Sequence, residues 1–179
     1  MKDKELFRIK CKADELPKLM NAMMQDGVTI ENLQFLCIGT DRSTGDAVGP
    51  LVGSLLEEAG YDHVIGTLAY PCDSSNLAER ISETDPRRKV LAIDACLGHP
   101  SSVWHFQVAN QPLVPGKSLG KGLPAVGDYS IAAIVGIDGP KPYAVLQTTS
   151  LHRSMQMAKA IANAIMAAYP VQIKDVNPR

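Results

Sequence analysis

The stretch CIGTDRSTGDAVGPLVGSLL, residues 37–56, joins an apolar run to a second apolar segment through a polar turn. The apolar run ends at Gly39, which is the pattern of a buried strand that stops at a turn. The second segment begins near Pro50 and has the spacing of a helix. A strand followed by a helix through a short turn is the first half of a βαβ unit. The turn between them carries charged and hydroxyl side chains: Asp41, Arg42, Ser43, Thr44 and Asp46.

Pro50 indicates where the helix begins. Proline fits best at the first helical position, so we expect Gly49 to be the cap and the helix to run to about Glu58. A cap at Asp46 is disfavoured, because Pro50 would then lack the first intrahelical N–H bond. Asp46 is therefore expected in the turn, upstream of the helix.

The same alternation continues along the chain. We expect strands at residues 33–39, which include the apolar run that ends at Gly39, and at residues 63–69, 88–95, 102–109, 131–137 and 143–149. Besides the helix that begins near Pro50, we expect helices at residues 13–25, 74–83 and 150–169. This order predicts an α/β fold with a mostly parallel sheet covered on both faces, a three-layer αβα sandwich. We expect one domain over residues 1–179, in which residues 1–30 are an N-terminal helical extension and residues 31–179 form the αβα unit.

Composition excludes several classes of function. The chain has 179 residues, a net charge of -1 and 45% hydrophobic residues, so neither a nucleic-acid partner nor an anionic membrane is expected. No apolar run approaches the roughly 20 residues of a membrane helix, and the charged N-terminus lacks a signal core, so we expect a cytoplasmic protein. The four cysteines form no CxxC pair, which favours reduced structural thiols.

Two aspartates follow expected strands. Asp46 lies after the first of these strands, and Asp94 ends the third, in LAIDAC. Ligands of open parallel sheets bind at the carboxyl ends of the strands, and the first and third strands can be neighbours there. The two carboxylates could share a proton and activate water at a carbonyl carbon. Alternatively, they could hold a divalent metal with a histidine such as His99.

Other motifs leave alternatives open. The turn could bind an anion ahead of the helix, or Arg42 and Asp41 could form a loop pair; the turn has neither a P-loop nor a GxGxxG motif. SLGK, residues 118–121, matches the SxxK nucleophile pattern, but the surrounding glycines disfavour the helical turn it needs. Lys121 is expected as a solvated or substrate-facing charge. A thiol–histidine pair of Cys96 and His99 has no diagnostic spacing.

Several longer stretches point to a family. GTDRSTGDAVGP, AIDACLG, VANQPLVPGKSLGKGLPAVGD and LQTTSLHRSMQMAKAIA resemble the YyaC-type sporulation proteins, a family regarded as proteases, over about residues 36–168. That family is similar to the germination protease, which degrades small acid-soluble spore proteins, and to the hydrogenase maturation endopeptidases. The resemblance implies a three-layer sandwich of the phosphorylase/hydrolase-like type and a protein substrate in the sporulating cell or forespore.

The resemblance also implies roles for particular residues. By motif, the catalytic aspartates of the germination protease fall on Asp46 and Asp94, and no cofactor is then expected. The maturation endopeptidases use similarly placed acids and a histidine to bind nickel, which makes a nickel or zinc site with His99 or His152 the alternative. Arg42 or turn N–H groups would stabilise an oxyanion, and the remaining substrate-contact candidates are Asp41, Thr44 and Lys121. A third possibility is a non-catalytic regulatory or binding protein with the same fold.

The chain departs from those relatives at two positions. Relatives tend to carry histidine where this sequence has Asp73, in YPCDSSNL, and Asp128, in VGDYS. If those histidines take part in chemistry or metal binding, the activity of this chain differs from theirs. Because both replacements are acidic, metal binding through oxygen ligands stays open.

Overall fold

The computed structural model describes residues 5–116 and 123–171. A six-stranded sheet has the order β1-β5-β6-β4-β2-β3. The four strands β3, β2, β4 and β6 are parallel to one another, whereas β5 is antiparallel to β6 and β1 is antiparallel to β5. The strands are β1 Arg8–Cys11, β2 Leu33–Cys37, β3 Val64–Ile65, β4 Lys89–Gly98, β5 Phe106–Ala109 and β6 Tyr129–Ile137.

Helices and loops cover both faces of this sheet. The helices are α1 Pro17–Gln25, α2 Val48–Glu58, α3 Leu77–Ser82, α4 Pro142–Thr148 and α5 Leu151–Ala168. The larger core joins α1, α2 and α5 to side chains such as Phe35 and Ile93 on one face. A smaller core on the other face joins Leu77 of α3 to Leu36, Ala92 and Leu113. These two cores confirm the expected mostly parallel sheet in a three-layer α/β sandwich.

The N-terminal segment belongs to the same sheet. The apolar face expected for its helix is buried, since Leu16, Leu19, Met20 and Met23 have no exposed surface. The expectation of a purely helical extension is wrong for Arg8–Cys11, which forms edge strand β1 beside β5. This strand is short and mostly exposed, and its alternation of charged Arg8 and Lys10 with apolar Ile9 and Cys11 is a period-two signal that the sequence analysis missed.

Four expected strands differ from those observed. The expected strand at 88–95 continues to Gly98 as β4, so Asp94 lies inside its strand and does not end it. Residues 143–149 were expected as a strand but lie in helix α4 or just after it, because Pro142 occupies a first-turn position that suits its fixed φ. The expected strand at 102–109 begins only at Phe106, after a 3-10 turn and a Trp104 with φ of 68°. His105 therefore precedes the strand. The expected strand at 63–69 is reduced to β3.

Helix α2 begins two residues earlier than expected. Ala47 is its N-cap and Pro50 is its third residue, where a backbone N–H has no intrahelical acceptor in any case. Gly49 is required inside the helix, since a Cβ there would lie 2.0 Å from the Ile38 carbonyl oxygen. The expectation that Asp46 lies upstream of the cap is confirmed.

The closing helix α5 has the expected cap but a shifted apolar face. The Ser150 side chain accepts a hydrogen bond from the Arg153 N–H, as an N-cap does. The spacing of α5 gives an apolar face that includes Met155, Ala158, Ile161, Ala162 and Ile165; all of these are buried except Met155, and Met157 is buried as well. Within residues 5–116 and 123–171, no helix combines the length and apolarity needed to cross a membrane.

Gly39 ends β2 in a conformation that only glycine adopts easily, which leads to a stability prediction. Its φ is +144°, and a Cβ would lie 1.9 Å from the Asp46 carbonyl oxygen. We expect Gly39→Ala to lower the free energy of unfolding by roughly 2–3 kcal/mol, because strain and backbone displacement add. Urea denaturation measures the difference.

Gly27→Ala is the matched control. Gly27 also has a positive φ, +79°, but a Cβ there would meet nothing within 4 Å. We expect a cost of only about 1 kcal/mol from the left-handed backbone. Equal losses in the two variants would show that contact with the Asp46 carbonyl does not constrain this turn.

Candidate functional site

The sheet order brings the two aspartates together. Strands β2 and β4 are parallel neighbours, and Cys37 at the end of β2 is opposite Ile93, the residue before Asp94. Asp46 follows β2 and Asp94 lies in β4, and both line one cavity of about 280 Å³. The first and third strands of the sequence prediction are therefore neighbours, with both carboxylates at the same site.

Asp94 is a buried carboxyl group. Its side chain is 8% exposed and accepts a hydrogen bond of 2.8 Å from the Ala95 N–H. The Gly116 N–H also donates to it. Burial raises the pKa of Asp94 to about 8, and the negative charge of Asp46 contributes in the same direction, while the two N–H groups oppose the shift. Asp94 is therefore mostly protonated at neutral pH.

Asp46 has a different environment. It is half-buried and directly precedes Ala47, the N-cap of the eleven-residue helix α2. The N-terminal end of a helix favours a negative charge. The Asp46 carbonyl accepts a hydrogen bond from the Thr40 N–H at 3.1 Å, which closes the turn. One carboxyl group thus sits where burial favours the neutral form, and the other where the helix favours the charged form.

The turn that carries Asp46 is tied to α4 and its C-terminal end. The Gly45 N–H donates to the Leu146 carbonyl at 2.8 Å, and the Thr44 hydroxyl lies 2.6 Å from the Thr149 carbonyl oxygen. Thr44 was expected to fix the turn or contact substrate. Its hydroxyl is engaged with the backbone around α4, and Thr44 does not line the cavity, so the structure supports the first role.

Arg42 pairs with a residue distant in the sequence. Its Nη2 donates to Asp73 Oδ2 at 3.0 Å and its Nε donates to Thr40 Oγ1 at 3.3 Å, and all three residues line the cavity. The alternative of a loop pair between Arg42 and Asp41 is therefore wrong. Asp41 is exposed and is not among the residues that line the cavity, which removes the basis for a role in substrate contact.

Asp73 is a cavity residue whose contacts the sequence did not reveal. Its Oδ1 accepts hydrogen bonds from the Ser75 N–H at 2.8 Å and the Ser75 hydroxyl at 2.5 Å. Burial alone would raise the pKa of Asp73, but the hydrogen bonds from Ser75 and Arg42 outweigh it and hold that pKa below its usual value. Asp73 is thus a third carboxylate at the cavity, and its charge is matched by Arg42.

Asp128 lies away from the cavity. Its Oδ1 accepts a hydrogen bond from Lys89 Nζ and its Oδ2 accepts one from the Val90 N–H, both at 2.9 Å. Lys89 begins β4, so Asp128 sits at the amino end of the strand whose later part carries Asp94. A role for Asp128 at the cavity, in chemistry or as a metal ligand, is excluded by this position.

The structure does not bring the candidate histidines to the aspartates. His99 is exposed, its Nδ1 lies 2.9 Å from Ser101 Oγ, and neither it nor His152 lines the cavity. His99 is five residues beyond Asp94, which is roughly 16 Å along an extended strand. The alternative metal set that includes His99 is therefore wrong. Across residues 5–116 and 123–171, no group of three His, Cys, Asp or Glu side chains is placed to hold a metal.

The remaining candidates are cysteines and the long loop. Cys11, Cys37, Cys72 and Cys96 are all free, as expected. Burial raises the pKa of the Cys96 thiol to about 12, and the charge of Asp94 adds to this, so a reactive thiol paired with His99 is not supported. Pro115, Gly116 and Leu123, from the segment between β5 and β6, line the cavity. Lys121 and the SLGK motif lie outside the described residues.

Helix α4 supplies a wall that the sequence analysis missed. Tyr143, Leu146 and Gln147 line the cavity, together with the polar residues 73–75 and Arg42. Leu146 is buried in the larger core, which anchors the helix. Pro142 followed by a short amphipathic run was the available signal for this helix.

The raised pKa of Asp94 predicts how its substitution changes stability. The folded pKa of about 8 exceeds the ordinary 3.8, so ionisation destabilises the fold progressively from pH 4 to pH 8. Asn cannot ionise, and its oxygen can accept the same N–H bonds. We expect Asp94→Asn to be more stable than wild type by roughly 4–6 kcal/mol near pH 9, with the gain vanishing near pH 4.

Denaturant titrations across this pH range measure the gain. Asp128→Asn is the control, since Asp128 pairs with Lys89 at the other end of β4 and should show no gain that grows toward alkaline pH. A difference between Asp94→Asn and wild type that is independent of pH would contradict the assigned protonation of Asp94.

Comparison with known proteins shows the family. The profile of the family described as "Protein of unknown function (DUF1256)" matches residues 8–164. The chain is also 44% identical over 135 residues to the "Uncharacterized protein YyaC" of Bacillus subtilis (strain 168), covering 73% of this chain and 66% of that relative. The match starts at residue 8, well before the start near residue 36 that the sequence analysis expected, which is consistent with β1 lying in the sheet. The chain belongs to the DUF1256 family.

Proposed function

We propose that the protein is an aspartate-dependent endopeptidase of sporulation or germination, acting in the cytoplasm of the sporulating cell or forespore. Its substrates would be proteins of the small acid-soluble spore protein class. One observation carries the proposal: Asp94, with a pKa raised to about 8, shares a cavity with Asp46. Carboxyl groups whose environments favour opposite protonation states can act as acid and base at the same pH.

The proton positions suggest the division of roles. Asp46 would accept a proton from a water molecule in the cavity, and that water would attack the peptide carbonyl carbon. Protonated Asp94 would donate a hydrogen bond to the carbonyl oxygen and then a proton to the leaving amine. After one turnover the proton count is restored when Asp46 returns its proton to Asp94 through solvent.

Neighbouring groups would bind the substrate. Turn N–H groups would stabilise the negative charge that develops on the carbonyl oxygen, and Arg42, at the cavity wall, would bind another oxygen of the substrate. Leu123, Tyr143 and Leu146 form an apolar wall for a side chain next to the cleaved bond. No metal or other cofactor is required in this proposal.

The proposal predicts loss of cleavage in two isosteric variants. Asp46→Asn and Asp94→Asn keep the side-chain shape and remove the acid–base group, so each should lower turnover of a small acid-soluble spore protein by at least about 100-fold. Asp41→Asn is the matched control, since Asp41 lies on the same turn but outside the cavity wall, and it should retain wild-type turnover. Gel analysis of purified proteins measures the cleavage.

The same assay distinguishes the alternatives when it is run with EDTA and again with added nickel or zinc. Cleavage that survives EDTA supports the aspartate pair. Cleavage that requires nickel or zinc would replace this proposal with a maturation-endopeptidase-like mechanism. No cleavage of spore proteins under any condition would contradict the proposal and favour a non-catalytic binding or regulatory protein.

The pKa of Asp94 also predicts a pH profile. Because the proposed acid is protonated only below about pH 8, kcat should fall as the pH rises through that value. Initial rates between pH 5 and pH 9 test this, with the stability of each sample checked at the same pH. A rate that keeps increasing above pH 8 would contradict the role of Asp94 as the acid.

A further inference from the structure

An ion pair joins two loops at the wall of the cavity. Arg42 lies after β2 and Asp73 lies after β3, 31 residues apart, and both line the cavity. Arg42 Nη2 lies 3.0 Å from Asp73 Oδ2, while Arg42 Nε lies 3.3 Å from Thr40 Oγ1. The guanidinium group is therefore fixed on two sides, although the Arg42 side chain is 77% exposed.

The contribution of this ion pair to the stability of the fold is too small to explain its presence. An ion pair with one partner so exposed contributes little to stability, because water screens it and two side chains lose freedom. The two loops are already joined by backbone contacts, since the Gly39 N–H donates to the Cys72 carbonyl at 2.8 Å. The main effect of the pair is thus that it holds the Arg42 side chain in one position.

Asp73 is itself held rigidly. Its side chain is only 15% exposed, and Ser75 donates to Oδ1 through both its N–H and its hydroxyl. The Asp73 N–H donates to Asn76 Oδ1 at 2.9 Å, which fixes the backbone at the same point. A carboxylate fixed in this way leaves Oδ2 in place as an acceptor for Arg42.

Arginine retains donors after making these contacts. A guanidinium has five N–H donors in a planar fork, and the contacts to Asp73 and Thr40 use one on Nη2 and one on Nε. We propose that Asp73 is a positioning residue that holds Arg42 at the cavity, so that the guanidinium binds an oxygen acceptor of a polypeptide substrate. The acceptor is a main-chain carbonyl or a side-chain carboxylate. That the ligand is a polypeptide rests on the proposed function.

Binding measurements test this inference apart from cleavage. Asp94→Asn serves as the parent, and its affinity for a fluorescently labelled small acid-soluble spore protein is measured by anisotropy. We expect about tenfold weaker binding when Arg42→Gln or Asp73→Asn is added, and no further loss when both are added, because Asp73 acts through Arg42. Arg42→Lys should weaken binding as well, since an ammonium group lacks the planar fork.

Asp128→Asn is the matched control, because Asp128 also accepts from one cation and one backbone N–H but lies away from the cavity. It should leave affinity unchanged. A labelled spore protein with Asn and Gln in place of its acidic side chains identifies the acceptor: if the Arg42 effect persists, Arg42 binds a main-chain carbonyl, and if it disappears, Arg42 binds a carboxylate. Melting temperatures of the Arg42 and Asp73 variants should match the parent.

Kinetics of the otherwise wild-type enzyme give a second readout. A positioning residue for substrate binding raises KM about tenfold and changes kcat little, which a general structural defect would not do. Undiminished affinity in Asp73→Asn and Arg42→Gln, additive losses, or no binding by the parent would each overturn the inference. If no spore protein is cleaved but binding depends on Arg42 and Asp73, the peptidase proposal fails and the inference about Arg42 stands. If cleavage occurs and KM is unchanged in both variants, the peptidase proposal stands and the inference about Arg42 fails.

Discussion

The burial of the Asp94 carboxyl group next to Asp46 is the constraint on which the candidate site depends. A carboxylate that is removed from water and lies near a second negative charge has a high free energy, and protonation of the carboxylate lowers it. The fold accepts this cost at one position in a central parallel strand, where an apolar residue would add to the smaller core beside Val90 and Ala92. Strained or costly groups of this kind cluster at functional sites.

The surrounding structure maintains the arrangement from two directions. On one side, Gly39 allows β2 to turn sharply, and the Gly45 and Thr44 contacts to α4 hold the turn that carries Asp46. On the other side, the Ala95 and Gly116 N–H groups fix the Asp94 carboxyl. Backbone contacts thus fix both the turn that carries Asp46 and the carboxyl group of Asp94.

Much of this arrangement could be predicted from the sequence, because it depends on local patterns. The apolar runs that end at Gly39 and Asp94 indicate buried strands, and the Leu16 to Met23 spacing indicates an amphipathic helix. The adjacency of β2 and β4 followed from the usual topology of doubly wound sheets. Each of these features depends either on the residues of one segment or on a general rule for how strands and helices are connected.

The features that could not be predicted depend on contacts between distant segments or on weak local signals. The Arg42–Asp73 pair spans 31 residues, and only the fold shows that Arg42 lines the cavity whereas Asp41 does not. Edge strand β1 shows its period-two pattern over only four residues, and its pairing with β5 identifies it as a strand. Helix α4 resembles a strand in its β-branched and aromatic residues, and its packing on the turn decides the outcome.

The most direct test of this account is the ionisation of Asp94 itself. Labelling the aspartate carboxyl carbons with 13C and following their chemical shifts from pH 3 to pH 10 yields the pKa of Asp94 in the wild type and in Asp46→Asn. The account predicts a pKa of about 8 in the wild type and a lower value in Asp46→Asn that still exceeds the ordinary 3.8, because burial persists when the neighbouring charge is removed. A wild-type pKa near 3.8, or one that Asp46→Asn leaves unchanged, would contradict the coupled pair of carboxyl groups at this site.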